Sequence, residues 1–312
     1  SYLTAYNNGD YGVYAFDAVD GVLDHSYASG SPDAGFYIGQ CYPCDAIVNN
    51  VISENNGLGY SGTNSGGSLY IISSVFKNNK GGLAPNTLDS ELLPPERETF
   101  IIGNLIENNN NIDAPATQST NLSLGNGVVI AGGNNNIIKN NVIANHNLYG
   151  VIITATADVN YWPAHGNRVE SNLIINSKRA DIASSGLSNL GNCFENNYFN
   201  TSIPPGLQTL NNCDSSFYPL SADLSGMWSS LARVIQTSDG NYNQGDWRTF
   251  EAPANQPNMP IMDELMSLGY DKTSLPVTKI WSSVKPAVEV FSQYEDVLEV
   301  IELPEEARNY LN

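Results

Sequence analysis

The chain has 312 residues, with 32 acidic against 13 basic side chains, a formal net charge of −19 and an isoelectric point near 4.2. Phosphate binding needs clustered Lys and Arg, so nucleic acid is excluded as a partner, and no apolar run is long enough to cross a membrane. Charged residues total only 14%, against about 25% in typical domains.

From the N-terminus, a glycine opens a short apolar segment at Gly12, Gly35, Gly59, Gly82, Gly127 and Gly150, at intervals of 23, 24, 23, 45 and 23 residues. A fixed period in this range signals stacked supersecondary units. A second segment recurs in AIVNNVISENN (46–56), LYIISSVFKNN (69–79), TFIIGNLIENN (99–109), NIIKNNVIANH (136–146), NRVESNLIINS (167–177) and NCFENNYFN (192–200). In each an apolar residue follows a small polar one: Val51, Val75, Leu105, Val142, Leu173 and Tyr198. A further asparagine is expected three residues past an apolar anchor, as in Ile52 with Asn55, Phe76 with Asn79, Ile106 with Asn109 and Val142 with Asn145.

Short segments rich in Val, Ile and Phe and bounded by Asn and Gly read as strands, not helices. One coil therefore holds at least two short strands, and in-register repetition stacks like strands in parallel at about 4.8 Å. Asparagines at the corners tolerate left-handed backbone angles, and their amides can bond to the coil above.

These repeats resemble the pectin-lyase-like superfamily of right-handed parallel β-helix proteins, which includes carbohydrate-active enzymes, tailspikes and the periplasmic accessory protein of nitrous oxide reductase. The resemblance spans residues 1–213 and implies an all-β fold, a right-handed parallel β-helix of about seven coils. The handedness follows from the resemblance and from the general preference for right-handed parallel crossovers. The opening residues, SYLTAYNNGDYG, read as starting inside a coil, so an upstream cap and an export signal are expected to precede them.

Two insertions interrupt the long interval, at 86–98 and 110–124, and a smaller one lies near 157–166. Long loops on a rigid coil are where solenoids carry binding function, although such loops also serve only to cover apolar surface. Cys193 and Cys213 bracket a proline-rich loop at the end of the repeats, where a disulfide would pin the last coil. Cys41 and Cys44 form a Cys-x-x-Cys pair that reads three ways: a redox centre, half of a zinc site, or a tight structural disulfide. With no second such pair, scattered histidines (His25, His146, His165) and no βαβ context, two disulfides are favoured, which fits an exported protein. Two Asn-x-Ser/Thr sequons stand at Asn121 and Asn200.

After Cys213 the repeat stops, and residues 214–312 form an irregular extension with Pro-rich connectors, tryptophans at 228, 247 and 281, a Gly-Tyr-Asp motif at 269–271 and an amphipathic stretch at 288–303. This extension is expected to pack on the β-helix or on a partner, and through it the chain could self-assemble.

Aligned on the repeat glycines, positions one and three steps on point inward: Val13 and Ala15, Phe36 and Ile38, Leu83 and Pro85, Val128 and Ile130, Val151 and Ile153. Two steps on, pointing out, come Tyr14, Tyr37, Ser61, Ala84, Val129 and Ile152. Val129 and Ile152 should have a cover, either the 110–124 insertion or the C-terminal segment. Five steps on, the column reads Asp17, Gln40, Asn64. Tyr14 and Tyr37 beside Asp17, Gln40 and Asn64 make a ligand platform, because aromatic faces stack on pyranose rings while amides and carboxylates bond to hydroxyls. The competing reading is a tyrosine pair that merely stabilises the sheet face.

Residues 1–76 hold no Lys or Arg but seven acids, Asp10, Asp17, Asp20, Asp24, Asp33, Asp45 and Glu54. A hard cation such as Ca²⁺ would find its ligands among Asp17, Asp20 and Asp24, although Asp17 and Asp20 also suit an ordinary turn. No other cofactor is expected.

Lyases of the resembled superfamily need cations to neutralise a substrate carboxylate, and here Lys77, Lys80, Arg97, Lys139, Arg168, Lys178 and Arg179 flank no acidic row. The Tyr-Gly-x-Asp-Pro-His type of motif of epimerase relatives is missing. A glycoside hydrolase would need two nearby carboxylates, and the candidates are Asp89, Glu91 and Glu96 with Arg97 beside them, which also read as a solvated loop ion pair. The sequence thus points to a secreted or cell-surface binding or structural protein, in contact with polysaccharide or with other surface proteins. A polysaccharide-active enzyme, hydrolase or lyase, working in a groove on the β-helix is the alternative.

Overall fold

The computed structural model describes residues 1–185, 190–214, 232, 234–253 and 304–310. Each turn of the chain contributes three strands, one to each of three parallel sheets. Sheet 1 stacks Thr4–Tyr6, Tyr27–Ser29, Ile52–Glu54, Val75–Lys77, Leu105–Glu107, Val142–Ala144 and Leu173–Ile175. Sheet 2 runs from Val13–Phe16 through Ala34–Gly39, Leu58–Thr63, Gly81–Asn86, Val128–Ala131, Tyr149–Thr154 and Ala180–Ser185 to Ser202–Ile203. Sheet 3 runs from Val22–Asp24 to Cys193–Glu195. The fold is the parallel β-helix that the repeats predict.

Its core is a set of aliphatic columns: Phe36, Tyr60, Leu83, Val128, Val151 and Ile182 from sheet 2, Val48, Ile71, Ile101, Ile138, Val169 and Phe194 from sheet 3. Burying each such side chain contributes about 1.5–3 kcal/mol. The inward pairs read from the glycine alignment all fall in or against this core, Pro85 being buried beside it.

The corners follow a two-residue rule. One residue takes a left-handed backbone (Asn55, Asn78, Asn108, Asn135, Asn140, Ser171, Asn196, Gly166, Gly191), and the next turns its side chain into the stack. In the longest ladder the amides of Ser74, Asn104, Asn141, Asn172 and Asn197 each donate to the side-chain oxygen one coil on, from Asn104 Oδ1 through Asn197 Oδ1 to Gln208 Oε1, over 2.9–3.0 Å. A buried amide has to bond somewhere, and here each asparagine side chain accepts from an amide and donates to a carbonyl of the preceding coil while donating also to the side-chain oxygen of the next. A parallel ladder joins Ser31, Asn56, Asn79 and Asn109. This corrects the expected spacing at Asn55 and Asn145: both are left-handed corner residues, and the inward positions are Asn56 and His146. The repeat glycines face this second ladder, and a Cβ on Gly35, Gly59 or Gly82 would meet the amides of Asn56, Asn79 or Asn109 at 2.8–3.0 Å.

The far end is closed. A short helix, Leu207–Leu210, plugs the core with Leu207, receives the ladder on Gln208, and is tied down by the Cys193–Cys213 disulfide. Cys41 and Cys44 are also bridged, so both pairs are structural disulfides. No helix among the described residues is long and apolar enough to cross a membrane.

The described parts of the extension lie on the coil. Ala307 and Tyr310 of the 3₁₀ turn Glu305–Tyr310 pack on the outer face of sheet 1 against Val75, Leu105 and Val142. Asn7 Nδ2 donates to the Phe250 carbonyl at 2.8 Å. Trp228, Trp281, the 269–271 motif and the 288–303 stretch lie outside the described residues. Val129 and Ile152 are half-buried. Ile152 packs with Tyr149, Ala180 and Ala183 of its own sheet, while the hydrogen bonds of the 110–124 insertion reach Pro32 and Lys80 instead.

Candidate functional site

The outer face of sheet 2 at the first coils carries an aromatic cluster. Tyr14 and Tyr37 are directly paired in register, with ring centroids 4.8 Å apart. Tyr11, at the mouth of the same strand, lies 4.6 Å from Tyr14 and 4.9 Å from Tyr37. Phe16 stacks on Tyr14 with its ring nearly parallel, centroids 5.7 Å apart and planes at 7°. Tyr14 is 52% exposed and Phe16 39%, whereas Tyr37 is only 1% exposed and forms the floor. The result is a stacked aromatic shelf whose outer members, Tyr14 and Phe16, are open to solvent.

Tyr37 is covered by the 86–98 insertion. Its hydroxyl donates to Glu91 Oε1 at 2.6 Å. Asn64, fully buried, donates through Nδ2 to the carbonyls of Leu88 and Glu91 and accepts from the Leu88 amide, while Gln40 Oε1 accepts from the Leu92 amide at 2.8 Å. The corner column Asp17, Gln40, Asn64 does line up, all three with left-handed backbone. Two of its members hold the loop down, and Asp17 is exposed.

Carboxylates rim the shelf. Asp10 and Asp33 occupy the same position on successive coils, the Asp33 amide donating to the Asp10 carbonyl at 2.9 Å. Burial, and then the Asp10 charge, push the Asp33 carboxyl up to about 7, with the Tyr11 hydroxyl opposing the rise and Glu91 adding to it. Asp10 and Glu91 are raised too, each chiefly by burial. Tyr14 is raised by burial and by the charges of Glu91, Asp10 and Asp33, so all three carboxylates act on this one ring. Among the described residues no ion pair involves any of the three.

The four loop residues singled out as catalytic candidates are not brought together as a set. Asp89 accepts from the Asn160 amide, the Asn160 side chain and Trp162 Nε1, joining the insertion to the hairpin Thr156–Ala157 with Tyr161–Trp162, and these bonds hold its carboxyl below the usual range. Glu96 is fully buried, accepts from Thr99 Oγ1 and Asn136 Nδ2 at 2.8 Å, and is pushed up to about 8 by desolvation. Arg97 lies over the Tyr42 ring at 3.6 Å. Glu91 alone faces the shelf.

Of the calcium candidates, Asp24 is buried, accepts from Asn49 Nδ2 and lies 2.8 Å from His25 Nδ1. Asp17 and Asp20 are exposed corner residues with left-handed backbone. Among the described residues the group with ligand-like spacing is Glu170, Glu195 and Cys213, and the Cys213 sulfur is committed to its disulfide.

A cleft of about 560 Å³ opens beside the shelf, between Gly9 and Pro32 of the first coils, residues 116–118 of the second insertion and residues 242–248. Lys80 ties the second insertion to the extension: the buried ammonium donates to the carbonyls of Ile112 and Asn243, both at 2.8 Å, and desolvation lowers it to about 8.

Asp10 and Asp33 stood among the seven N-terminal acids without being placed beside the tyrosines, and Tyr11 was not singled out, yet the signal was present. Two residues before Gly12 and Gly35 stand Asp10 and Asp33, one column of the same repeat.

No protein-family profile matches the chain, and no curated protein matches it. Two solved structures are similar in part, both A-modules of mannuronan C-5 epimerases from Azotobacter vinelandii. The AlgE6 module is 17% identical, with 64% of this chain and 54% of that one covered and a TM-score of 0.39. The AlgE4 module is 15% identical, with 58% and 56% covered and a TM-score of 0.33. The chain thus spans a little over half the length of each.

Proposed function

We propose that this chain is a carbohydrate-binding β-helix protein that acts outside the cytosol and holds a neutral or cationic glycan on the shelf of Tyr11, Tyr14, Phe16 and Tyr37. The observation that carries this reading is the parallel, stacked pair Tyr14 and Phe16, solvent-exposed on a rigid strand and backed by a buried tyrosine. Pyranose rings present flat C–H faces to such surfaces, and a rigid aromatic loses little side-chain entropy on binding. Asp10, Asp33 and Glu91 supply acceptors at the rim for hydroxyl or ammonium donors. The two disulfides favour an oxidising compartment.

The described extension contacts its own coil at Asn7, Lys80 and sheet 1, which supports binding over assembly through that segment. The test is a glycan array read with the parent chain and with Tyr14→Ala and Tyr14→Phe. Binding that survives in Phe and drops in Ala supports the reading. No glycan above background, or equal binding by all three proteins, refutes it.

One observation favours a second reading, hydrolysis of the bound chain: Asp33 stays protonated to about pH 7 beside ionisable Asp10 and Glu91. A general acid needs a proton available at working pH. Release of reducing ends from any bound glycan, abolished in Asp33→Asn, would support it; intact glycan after prolonged incubation would exclude it.

A further inference from the structure

The shelf is set in a region of one electrical sign. Residues 1–76 contribute seven acids and no Lys or Arg, and the insertion that reaches over the shelf adds Glu91. The three carboxylates at the rim have no cationic partner among the described residues, and two of them, Asp10 and Asp33, are stacked on adjacent coils about 4.8 Å apart along the axis. Two ionised carboxylates at that spacing repel, and a bound cation would relieve the repulsion and favour the ionised form of both. A neutral sugar would leave it in place, and a uronate would add to it.

The aromatic faces add to the same preference. An aromatic ring attracts an ammonium group through its quadrupole, and Tyr14 and Phe16 are both exposed, with Tyr14 next to all three carboxylates. The parallel stacking of the pair, 7° between planes, makes a rigid apolar surface that fits a ring-shaped partner better than an extended basic peptide.

Building on the carbohydrate reading, we infer that the shelf takes a cationic glycan, a chain of amino sugars with free ammonium groups, whose ring faces lie on Tyr14 and Phe16 while its ammonium groups face Asp10, Asp33 and Glu91. The rim then acts as the selectivity element and the aromatics as the affinity element. An N-acetylated chain keeps the ring contacts and forfeits the charge contacts, so it binds the same place more weakly.

The experiment is calorimetric titration of the full chain at pH 6 with three oligomers of equal length: a glucosamine hexamer, its fully N-acetylated counterpart and a uronate hexamer, with oligolysine as a competitor. The glucosamine hexamer should bind about tenfold or more tighter than the acetylated one, the uronate should not bind, and the preference should shrink toward unity in Asp10→Asn/Asp33→Asn. Equal affinity for the first two, or tighter binding of the acetylated chain, overturns the cationic assignment and leaves the carbohydrate reading standing. Oligolysine competing as well as the glucosamine hexamer overturns it as well, because charge alone would then be recognised. Binding of none of the oligomers overturns both.

Discussion

Asp33 sits directly on Asp10, one coil along, with its amide donating to the Asp10 carbonyl at 2.9 Å and its carboxyl raised to about 7 by burial and by the Asp10 charge. A cationic ligand favours the ionised form of such a pair, so binding and deprotonation are linked. Affinity for an oligomer with permanently charged trimethylated amines should therefore rise as pH increases from 5 toward 7 and level off above it, with proton release on binding over the rising part. In Asp33→Asn the curve should flatten. Titration at several pH values in buffers of different ionisation enthalpy measures both, and a pH-independent affinity in the parent would contradict the linkage.

The shelf depends on how the first insertion is held. Asn64 grips the loop with three hydrogen bonds to Leu88 and Glu91, and Tyr37 adds one to the Glu91 side chain. Asn64→Ala leaves the Leu88 amide without its partner, and that amide should exchange more than about tenfold faster, each tenfold being about 1.4 kcal/mol of local opening. Tyr37→Phe removes one bond and should cost about 1 kcal/mol. If exchange at Leu88 and Leu92 is unchanged in Asn64→Ala, the loop is held by something else.

The ladder predicts a sharp contrast between adjacent residues. Asn141 accepts from the Asn104 amide and donates to the Ile101 carbonyl and to Asn172 Oδ1, all buried, so Asn141→Ala should destabilise by about 3 kcal/mol. Asn140 only needs a left-handed backbone (φ 54°) at an exposed corner, which glycine adopts freely. Asn140→Gly should stay within about 0.5 kcal/mol of the parent in denaturant titration. Equal losses at the two positions would show that the corner dipeptide is not divided in this way.

That dipeptide explains what was legible in the sequence. The glycine column and the strands came through because each coil demands the same thing at the same place: no Cβ opposite the ladder, an aliphatic inside, a left-handed corner outside. Reading the column two residues further back would have found Asp10 and Asp33 as well. The cover over Tyr37 was not legible, because Gln40 and Asn64 bond to backbone groups 52 and 24 residues away in a loop that follows no period. Without that contact Tyr37 and Asn64 looked as open as Tyr14. Glu96 looked like half of a surface ion pair with Arg97, and here the mismatch was visible: Asn136, Asn167 and Asn192 precede their sheet 3 strands, and Thr99 stands in their place.

Glu96 answers that mismatch, and its role can be tested by pH. Thr99 Oγ1 donates to the Glu96 carboxyl, which enters the stack and also accepts from Asn136 Nδ2. Fully buried, it is raised from the ordinary carboxylate range to about 8. The folded chain therefore holds this proton across neutral pH after the unfolded chain has lost it. By linkage, stability from this group is greatest below the ordinary carboxylate range and falls as pH climbs to about 8, by on the order of 5 kcal/mol in all. Asp33, raised to about 7, contributes in the same direction and Lys80, lowered to about 8, in the opposite one, so the Glu96 share is read as the difference between the parent and Glu96→Gln. Glu96→Gln can accept from Asn136 and donate to Thr99 with no proton to lose, so the parent's Tm should fall relative to the variant's as pH rises from about 5 to 8. A parent whose Tm runs parallel to that of the Gln variant over this range would show that the carboxyl is already ionised inside the coil.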